Sequence, residues 1–361
     1  MPVTLDGLDA AQRVAVTHAA GPLLVIGGPG SGKTRVLTCR FAWLVEQGLA
    51  PEEILALSFS AATATPMREQ LETLLAGPFE ELHVGTFESF CTRLLRDEAL
   101  EAGVDPFFSP VSAADRLALL LERLGQLSLR RHEIRGNPAP LLASFVSRID
   151  RLKQEMISAD DYLTHAERLL EQADGDAARA AAGLEREFAG VYSDHDRLLA
   201  ERGALDNGDL VLRCFRLLLE KPHVRSRAAA RFKQVLVDDY QDTNFAQGML
   251  LRLLIEEHRE VTVAGNDDEA VHRLQGAGKN LLEFERELPG AEAVRLERSH
   301  RSGRRIAKAA LAVVEPVAQR IPKRLKASGR DEVRFWRCHT ERAQAQAVAA
   351  AAERLVSQQG V

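Results

Sequence analysis

The 361-residue sequence predicts an α/β fold: a parallel sheet with helices on its faces, interrupted by a helical insert. Two features point to the sheet, namely short apolar runs alternating with helical stretches, and a glycine-rich loop set between the first such run and a helix. A third points to the insert, because a long central stretch contains helical periodicity and no convincing strand. The apolar runs are Leu23–Ile26, Ile54–Phe59, Leu82–Thr86, Val235–Asp238, Val261–Ala264 and Ala293–Leu296. The helical stretch runs from about Gly103 to about Gly203 and is rich in Ala, Leu, Arg and Glu. Within it, Ser112-Ala113-Ala114-Asp115 reads as a capping box ahead of a leucine-rich helix, and Gly136-Asn137-Pro138-Ala139-Pro140 and Asp174-Gly175-Asp176 read as breaks. The Ala-rich stretch from Ala343 to Ala352 is compatible with a further helix.

Composition narrows the class. With 45% apolar and 27% charged residues the chain is that of a globular protein, long enough for more than one core. No apolar run approaches the roughly 18 residues a membrane helix needs, and the first residues lack a basic stretch followed by an apolar one, so the expectation is a cytoplasmic protein. Cys39, Cys91, Cys214 and Cys338 lie far apart without a Cys-x-x-Cys pair, which argues against a zinc ribbon or a disulfide framework. A net charge of −5 confines any nucleic-acid contact to local surfaces. The densest basic clusters, Arg130-Arg131-His132 and Arg301 to Lys308, are short and read first as solvated helix faces.

The loop Gly27-Gly28-Pro29-Gly30-Ser31-Gly32-Lys33-Thr34 has the spacing of a phosphate cradle. Glycines let backbone N–H groups approach phosphate oxygens, the lysine neutralises β/γ charge, and the hydroxyl after it ligates Mg²⁺. The expected ligand is a nucleoside triphosphate, ATP, with Mg²⁺. A second site reads as Val235-Leu236-Val237-Asp238-Asp239-Tyr240-Gln241-Asp242, an apolar strand ending in adjacent acids. The first acid suits the Mg²⁺ shell and the second an attacking water.

These segments together resemble the UvrD/Rep/PcrA-type superfamily 1 DNA helicases, in that family's motif order, from about Leu8 to about Ile306. Leu8-Asp9-Ala10-Ala11-Gln12 is similar to its adenine-reading Leu-Asn-x-x-Gln, which implies that Gln12 reads the base through its amide. Arg35 resembles a nucleotide contact. Ser58-Phe59-Ser60-Ala61-Ala62-Thr63-Ala64 and Gly85-Thr86-Phe87-Glu88 resemble segments lining the single-strand path, so Phe59, Thr86 and Phe87 become candidate DNA contacts. Gly265 through Ala277 resembles the motif that senses the γ-phosphate and stacks a base, which brings in Glu269, His272 and Leu274. Ser299-His300-Arg301-Ser302 resembles the motif whose arginine reaches the γ-phosphate, and Leu205–Leu210 resembles the one that closes the inserted subdomain.

The resemblance implies a P-loop NTPase of RecA-like motor architecture. Residues 1–102 and 205–289 would form the two halves of a first motor domain, 103–204 the inserted helical subdomain, and 290–361 the beginning of a second motor domain. The chain stops before the family's later motifs, and Val333-Arg334-Phe335-Trp336 reads as a strand-like start whose companions are missing.

Some positions depart from the pattern. Asp239 stands where the family has glutamate, and a carboxylate set back by about 1 Å can cost ~10²-fold in rate, so slow hydrolysis is expected. Glu269 replaces a glutamine and Asn266 an aspartate; His272, Leu274 and Gln275 replace Tyr, Trp/Phe and Arg. The implied activity is ATP-dependent translocation on, or unwinding of, DNA in repair or recombination. Lys33, Asp239 and Arg301 would be catalytic, Thr34 and Asp238 would hold Mg²⁺, and the partners would be single-stranded or partly duplex DNA and other repair proteins. The alternative is a weakly hydrolysing, motor-like subunit with a structural or DNA-binding role in a helicase–nuclease complex.

Overall fold

The computed structural model describes residues 5–75, 79–132, 134, 136–270 and 279–359. Its strands in chain order are β1 (Leu23–Gly27), β2 (Ile54–Ser58), β3 (His83–Thr86), β4 (Ser109–Val111), β5 (Ala204–Asp206), β6 (Gln234–Asp238), β7 (Val261–Gly265), β8 (Glu292–Leu296), β9 (Arg298–Ser299) and β10 (Lys326–Ala327). Six of them form one parallel sheet in the order β3-β2-β6-β7-β1-β8. These are the six apolar runs read from the sequence. The four inner strands β2, β6, β7 and β1 are buried along their whole length, as parallel strands covered on both faces are, whereas the edge strands β3 and β8 are partly exposed.

Successive side chains leave a strand on opposite faces, and the sheet therefore builds two cores. Leu24, Ile26, Leu55, Leu57, Val235, Val237 and Val263 face helices Phe87–Asp97, Asn207–Glu220 and Phe245–Ile255. Leu23, Val25, Ile54, Ala56 and Leu236 face helices Lys33–Glu46 and Ala61–Leu74. These two helices supply apolar residues at four-residue spacing, Leu37 and Phe41 in one and Met67 and Leu71 in the other.

The insert has its own core, where Leu120, Leu142, Phe145, Ile149, Phe188 and Tyr192 meet between helices Ala113–Glu122, Ala139–Gln154, Ala159–Gln172 and Asp176–Glu201. Ser112 opens the first of these as expected, its hydroxyl accepting from Asp115 N at 3.2 Å while its own N–H donates to the Asp115 carboxylate at 2.9 Å. The ends of the insert are clasped by β4 and β5, which pair in parallel with Val111 opposite Asp206.

Two expectations need correction. Residue 290 was to open a second domain, yet Glu292–Leu296 is β8 and pairs with β1 (Val25 opposite Val294), completing the first sheet. Val333–Trp336 is not a strand, because no neighbouring strand among the described residues offers it a ladder; Phe335 and Trp336 are exposed. Among the described residues no helix is long and apolar enough to cross a membrane.

Candidate nucleotide site and the adjoining cavity

β1, β6 and β7 are neighbours or near-neighbours in the sheet, so the loops leaving their C-terminal ends open on one edge. In open α/β sheets that edge is where ligands bind. The loop after β1 enters helix Lys33–Glu46 through Gly32, which has φ 83° and provides no side-chain cap. The first-turn N–H groups are thus left for an anion. Gly30 and Gly32 both need glycine: each has positive φ, and a Cβ would lie 2.7 Å from Arg301 Cβ at Gly30 and 2.7 Å from Gln12 Nε2 at Gly32. Ser31 N closes the turn by donating to Gly28 O at 3.2 Å.

Lys33 is placed by the loop it serves. Its Nζ donates to Gly27 O at 3.0 Å and pairs with Glu269 Oε2 at 3.3 Å. Glu269 reaches it from the short 3₁₀ turn Asp267–Glu269 after β7. A carboxylate near the γ-phosphate would repel it, but here that carboxylate serves as the counter-ion of the loop lysine. The turn that carries Glu269 is held from behind: Arg320 grips Asp268 through two hydrogen bonds of 2.8 Å, Ile321 N donates to Asp267 at 2.7 Å, and Lys323 bonds Asp267. No motif in the sequence signals this clamp.

Across the cleft, the Thr34 hydroxyl donates to Asp238 Oδ2 at 2.6 Å and Asp239 N donates to Asp238 Oδ1 at 3.0 Å. Asp238 is fully buried, and its pKa is raised to about 6, first by burial and then by the charge of Asp239; the bonds from Thr34 and Asp239 N and the charge of Lys33 only partly offset this. A hydroxyl and an under-compensated buried carboxylate are hard oxygen donors, a set that fits Mg²⁺.

Asp239 has φ 51°, in the left-handed region. Its carboxylate accepts from Thr63 Oγ1 at 3.2 Å and from Gln241 Nε2 at 3.3 Å. Gln241, 2% exposed, also accepts from Asn266 N at 2.9 Å, so one amide ties the loop after β6 to the loop after β7. Neither Thr63 nor Gln241 was singled out from sequence, although both sit inside the motifs quoted.

Gln12 stands beside the phosphate loop. It is 1% exposed, its Oε1 accepts from Asp9 N at 3.1 Å and its Nε2 donates to Ser31 O at 2.9 Å. Each end of the amide makes one bond within the protein and keeps a lone pair on Oε1 and an N–H on Nε2, and the two bonds tie helix Ala10–Val16 to the phosphate loop. Arg35 is exposed on the same helix as Lys33. Arg301 lies against Gly30, held by Ser299 Oγ donating to Pro29 O at 3.2 Å and His300 N donating to Gly30 O at 2.8 Å. His300 Nε2 pairs with Asp9 Oδ2 at 3.2 Å.

Farther along the same edge, Phe59 is half-buried and lines a cavity of about 320 Å³ with Glu88, Lys153, Asn207 and Gln247. Thr86 caps helix Phe87–Asp97, its hydroxyl accepting from Ser89 N at 3.2 Å. Phe87 does not reach this surface. It is wholly buried in the core under the sheet, the first helical residue after the cap, and cannot stack on a base. His272 and Leu274 lie outside the described residues.

Comparison with known proteins bears on this arrangement. The chain is 33% identical over 324 residues to the ATP-dependent DNA helicase PcrA of Bacillus subtilis, covering 89% of this chain and 41% of that protein. It is 31% identical over 354 residues to PcrA of Staphylococcus epidermidis and 30% identical over 353 residues to PcrA of Staphylococcus aureus, in each case covering 96% of this chain and 46% of the relative. The chain thus spans less than half the length of these curated relatives. The family model described as UvrD/REP helicase N-terminal domain matches residues 8–289, which take in the phosphate loop, the Asp238–Asp239 strand end and the Glu269 turn, and the chain belongs to that family.

Proposed function

We propose that this chain is the nucleotide-binding motor region of an ATP-dependent DNA helicase, a cytoplasmic protein that moves along single-stranded DNA in repair or recombination. The observation that carries the reading is the convergence of Lys33, Thr34 and Asp238 at one sheet edge, with Thr34 and Asp238 at 2.6 Å. The names of the matched relatives favour it over the alternative of a weakly hydrolysing structural subunit.

In this reading the loop amides and Lys33 hold the β- and γ-phosphates of ATP. Thr34 and Asp238 would hold Mg²⁺, which when bound neutralises charge between the β- and γ-oxygens. Asp239, fixed by Thr63 and Gln241, orients the attacking water, and Arg301 offsets charge that develops on the γ-phosphate. Arg35 lies beside the nucleoside. DNA would cross the surface around Phe59 and Thr86, with His272 and Leu274 contributing from their segment and other repair proteins as further partners. Base stacking on one aromatic is worth about 1–3 kcal/mol, so Phe59 would matter to DNA affinity.

The test is Lys33→Ala in the full-length protein. DNA-stimulated ATP hydrolysis should be abolished, and an ATPase left intact by this change would refute the site.

A further inference from the structure

Glu269 and Asp239 are two acidic side chains of the cleft outside the Thr34–Asp238 pair, and they are placed differently. Both carboxylate oxygens of Asp239 already accept a bond, from Thr63 Oγ1 at 3.2 Å and Gln241 Nε2 at 3.3 Å. Its backbone is fixed at φ 51°, so it has little freedom to follow a reacting group. Glu269 has the longer side chain, is 37% exposed at its side chain, and puts Oε2 at 3.3 Å from Lys33 Nζ. Lys33 is the group that meets the β/γ end of a triphosphate. A carboxylate within hydrogen-bonding reach of that ammonium, and open to water, lies where the terminal phosphate and its attacking water must come. The turn that carries it is braced by Arg320 on Asp268 and by Ile321 N and Lys323 on Asp267, and Gln241 holds Asn266 N just before it. Such bracing is what a group needs to be aimed before substrate arrives.

We propose that Glu269 is the proton acceptor for the attacking water and that Asp239 is a positioning residue; this rests on the reading of the loop as an ATP site. Before nucleotide binds, Glu269 is the counter-ion of Lys33. When the triphosphate takes over the ammonium, the carboxylate is released from Lys33 and is left facing the γ-phosphate and its water. The water oxygen then forms a bond to the γ-phosphorus while its proton passes to the Glu269 carboxylate. The bond from the γ-phosphorus to the bridging oxygen breaks, and its electron pair leaves with the nucleoside diphosphate. Glu269 returns the proton to solvent as phosphate departs. The two positions where the chain carries Asp for Glu and Glu for Gln are thereby one exchange, with the longer carboxylate moved from the end of β6 to the turn after β7.

The experiment compares Glu269→Gln and Asp239→Asn in the full-length protein, measuring kcat for DNA-stimulated ATP hydrolysis at saturating Mg-ATP and the Kd of a fluorescent ATP analogue. Loss of a general base typically costs ~10²–10⁴-fold, so Glu269→Gln should lower kcat by at least ~10²-fold. It should leave nucleotide affinity equal or tighter, because a competing carboxylate is removed from Lys33. Asp239→Asn should lower kcat by at least ~10-fold less than that. A Glu269→Gln enzyme that keeps or raises kcat would mean that Glu269 is a counter-ion only and would overturn the proposal, as would any loss in Asp239→Asn equal to or larger than its own. Both variants alter solvent-accessible or half-buried side chains, and retained analogue binding shows that each is folded. Failure of the unaltered protein to bind Mg-ATP is a separate result, which removes the ATP reading itself.

Discussion

Thr34 and Asp238 meet across the C-terminal edge of the sheet, the hydroxyl donating to Oδ2 at 2.6 Å. The carboxylate is fully buried and its pKa is raised to about 6 by burial and by the charge of Asp239. An acid with a raised folded-state pKa favours folding when protonated, and that advantage is lost as pH rises from about 4 through about 6. Asp238→Asn removes the buried charge while keeping the shape. At pH 7.5 without Mg²⁺ it should therefore stabilise the chain by about 1–3 kcal/mol in urea titrations. Mg-dependent ATP hydrolysis should fall by ~10²-fold or more in the same variant. Loss of stability together with loss of activity would show that the site is not the strained, cation-seeking pair described.

Gln241 is the link between the two catalytic loops. Its amide reaches Asp239 at 3.3 Å and Asn266 N at 2.9 Å while the residue itself is buried. Gln241→Ala leaves a buried N–H unpaired, at a cost of about 1–3 kcal/mol, and frees both loops. Because its bonds are to Asp239 and Asn266, kcat should fall by ~10-fold to ~10²-fold with nucleotide Kd changed little, as expected of a misplaced reacting group. An equal loss in Kd and kcat would place Gln241 against the nucleotide instead.

What could be read from sequence was what local geometry dictates. The six strands of the sheet announced themselves as buried apolar runs, and the loop from Gly27 to Thr34 was legible because positive φ at Gly30 and Gly32 leaves few alternatives to glycine. Pairings across the chain left no such trace. Glu269 reaches Lys33 over a separation of 236 residues, and Arg320 reaches Asp268 over 52, with nothing at either end to mark the partner. Phe59 and Phe87 illustrate a different limit. Both follow strands in motifs of the same kind, but Phe59 leaves β2 ahead of its helix cap Ser60 whereas Phe87 comes after its cap Thr86, and that single step turns one toward the cavity and the other into the core. Gln12 shows the same limit, because nothing in its motif reveals that its amide also bonds Asp9 N and Ser31 O.

Lys153 joins the insert to the motor. It is 1% exposed and its ammonium meets Asp196 at 2.9 Å, Asp206 at 2.9 Å and Asp209 at 2.7 Å, with Arg116 on the same Asp206 oxygen, Oδ2, at 3.1 Å. Burial opposes the charge on Lys153, but the three carboxylates outweigh it and hold the lysine protonated. Burial likewise opposes ionisation of Asp206, yet Lys153 and Arg116 bring it down to about 2. Removing one partner of such a cluster strands the others, so Lys153→Met should cost about 3–5 kcal/mol in denaturant unfolding. The joint between β4 and β5 should also open, with faster protease cleavage near Gly103 and Gly203. A neutral or stabilising Lys153→Met would mean that the cluster's repulsion already cancels its attraction.

His83 gives the sheet edge a pH dependence of its own. The ring is buried edge-on to Phe232 at 5.0 Å, Arg93 lies at 2.7 Å from Nδ1, and Arg231 at 3.3 Å from Nε2. Burial, then the charge of Arg231, lowers its pKa to about 4, with Arg93 adding to the effect and Glu81 opposing it. Because the folded value lies below the unfolded one, the neutral ring favours folding above about pH 6.5, and this advantage is lost as pH falls from there to about 4. Its size is on the order of 2–3 kcal/mol, reduced by the exposed Arg and Glu groups that solvent screens. Urea unfolding between pH 7 and pH 4.5 should therefore show stability falling with acid, and His83→Gln should flatten that slope by nearly one proton while lowering stability at pH 7 through the lost ring contact. An unchanged slope in His83→Gln would show that the ring takes up its proton over the same pH range folded and unfolded, with Glu81 at 3.8 Å offsetting burial and the two arginines.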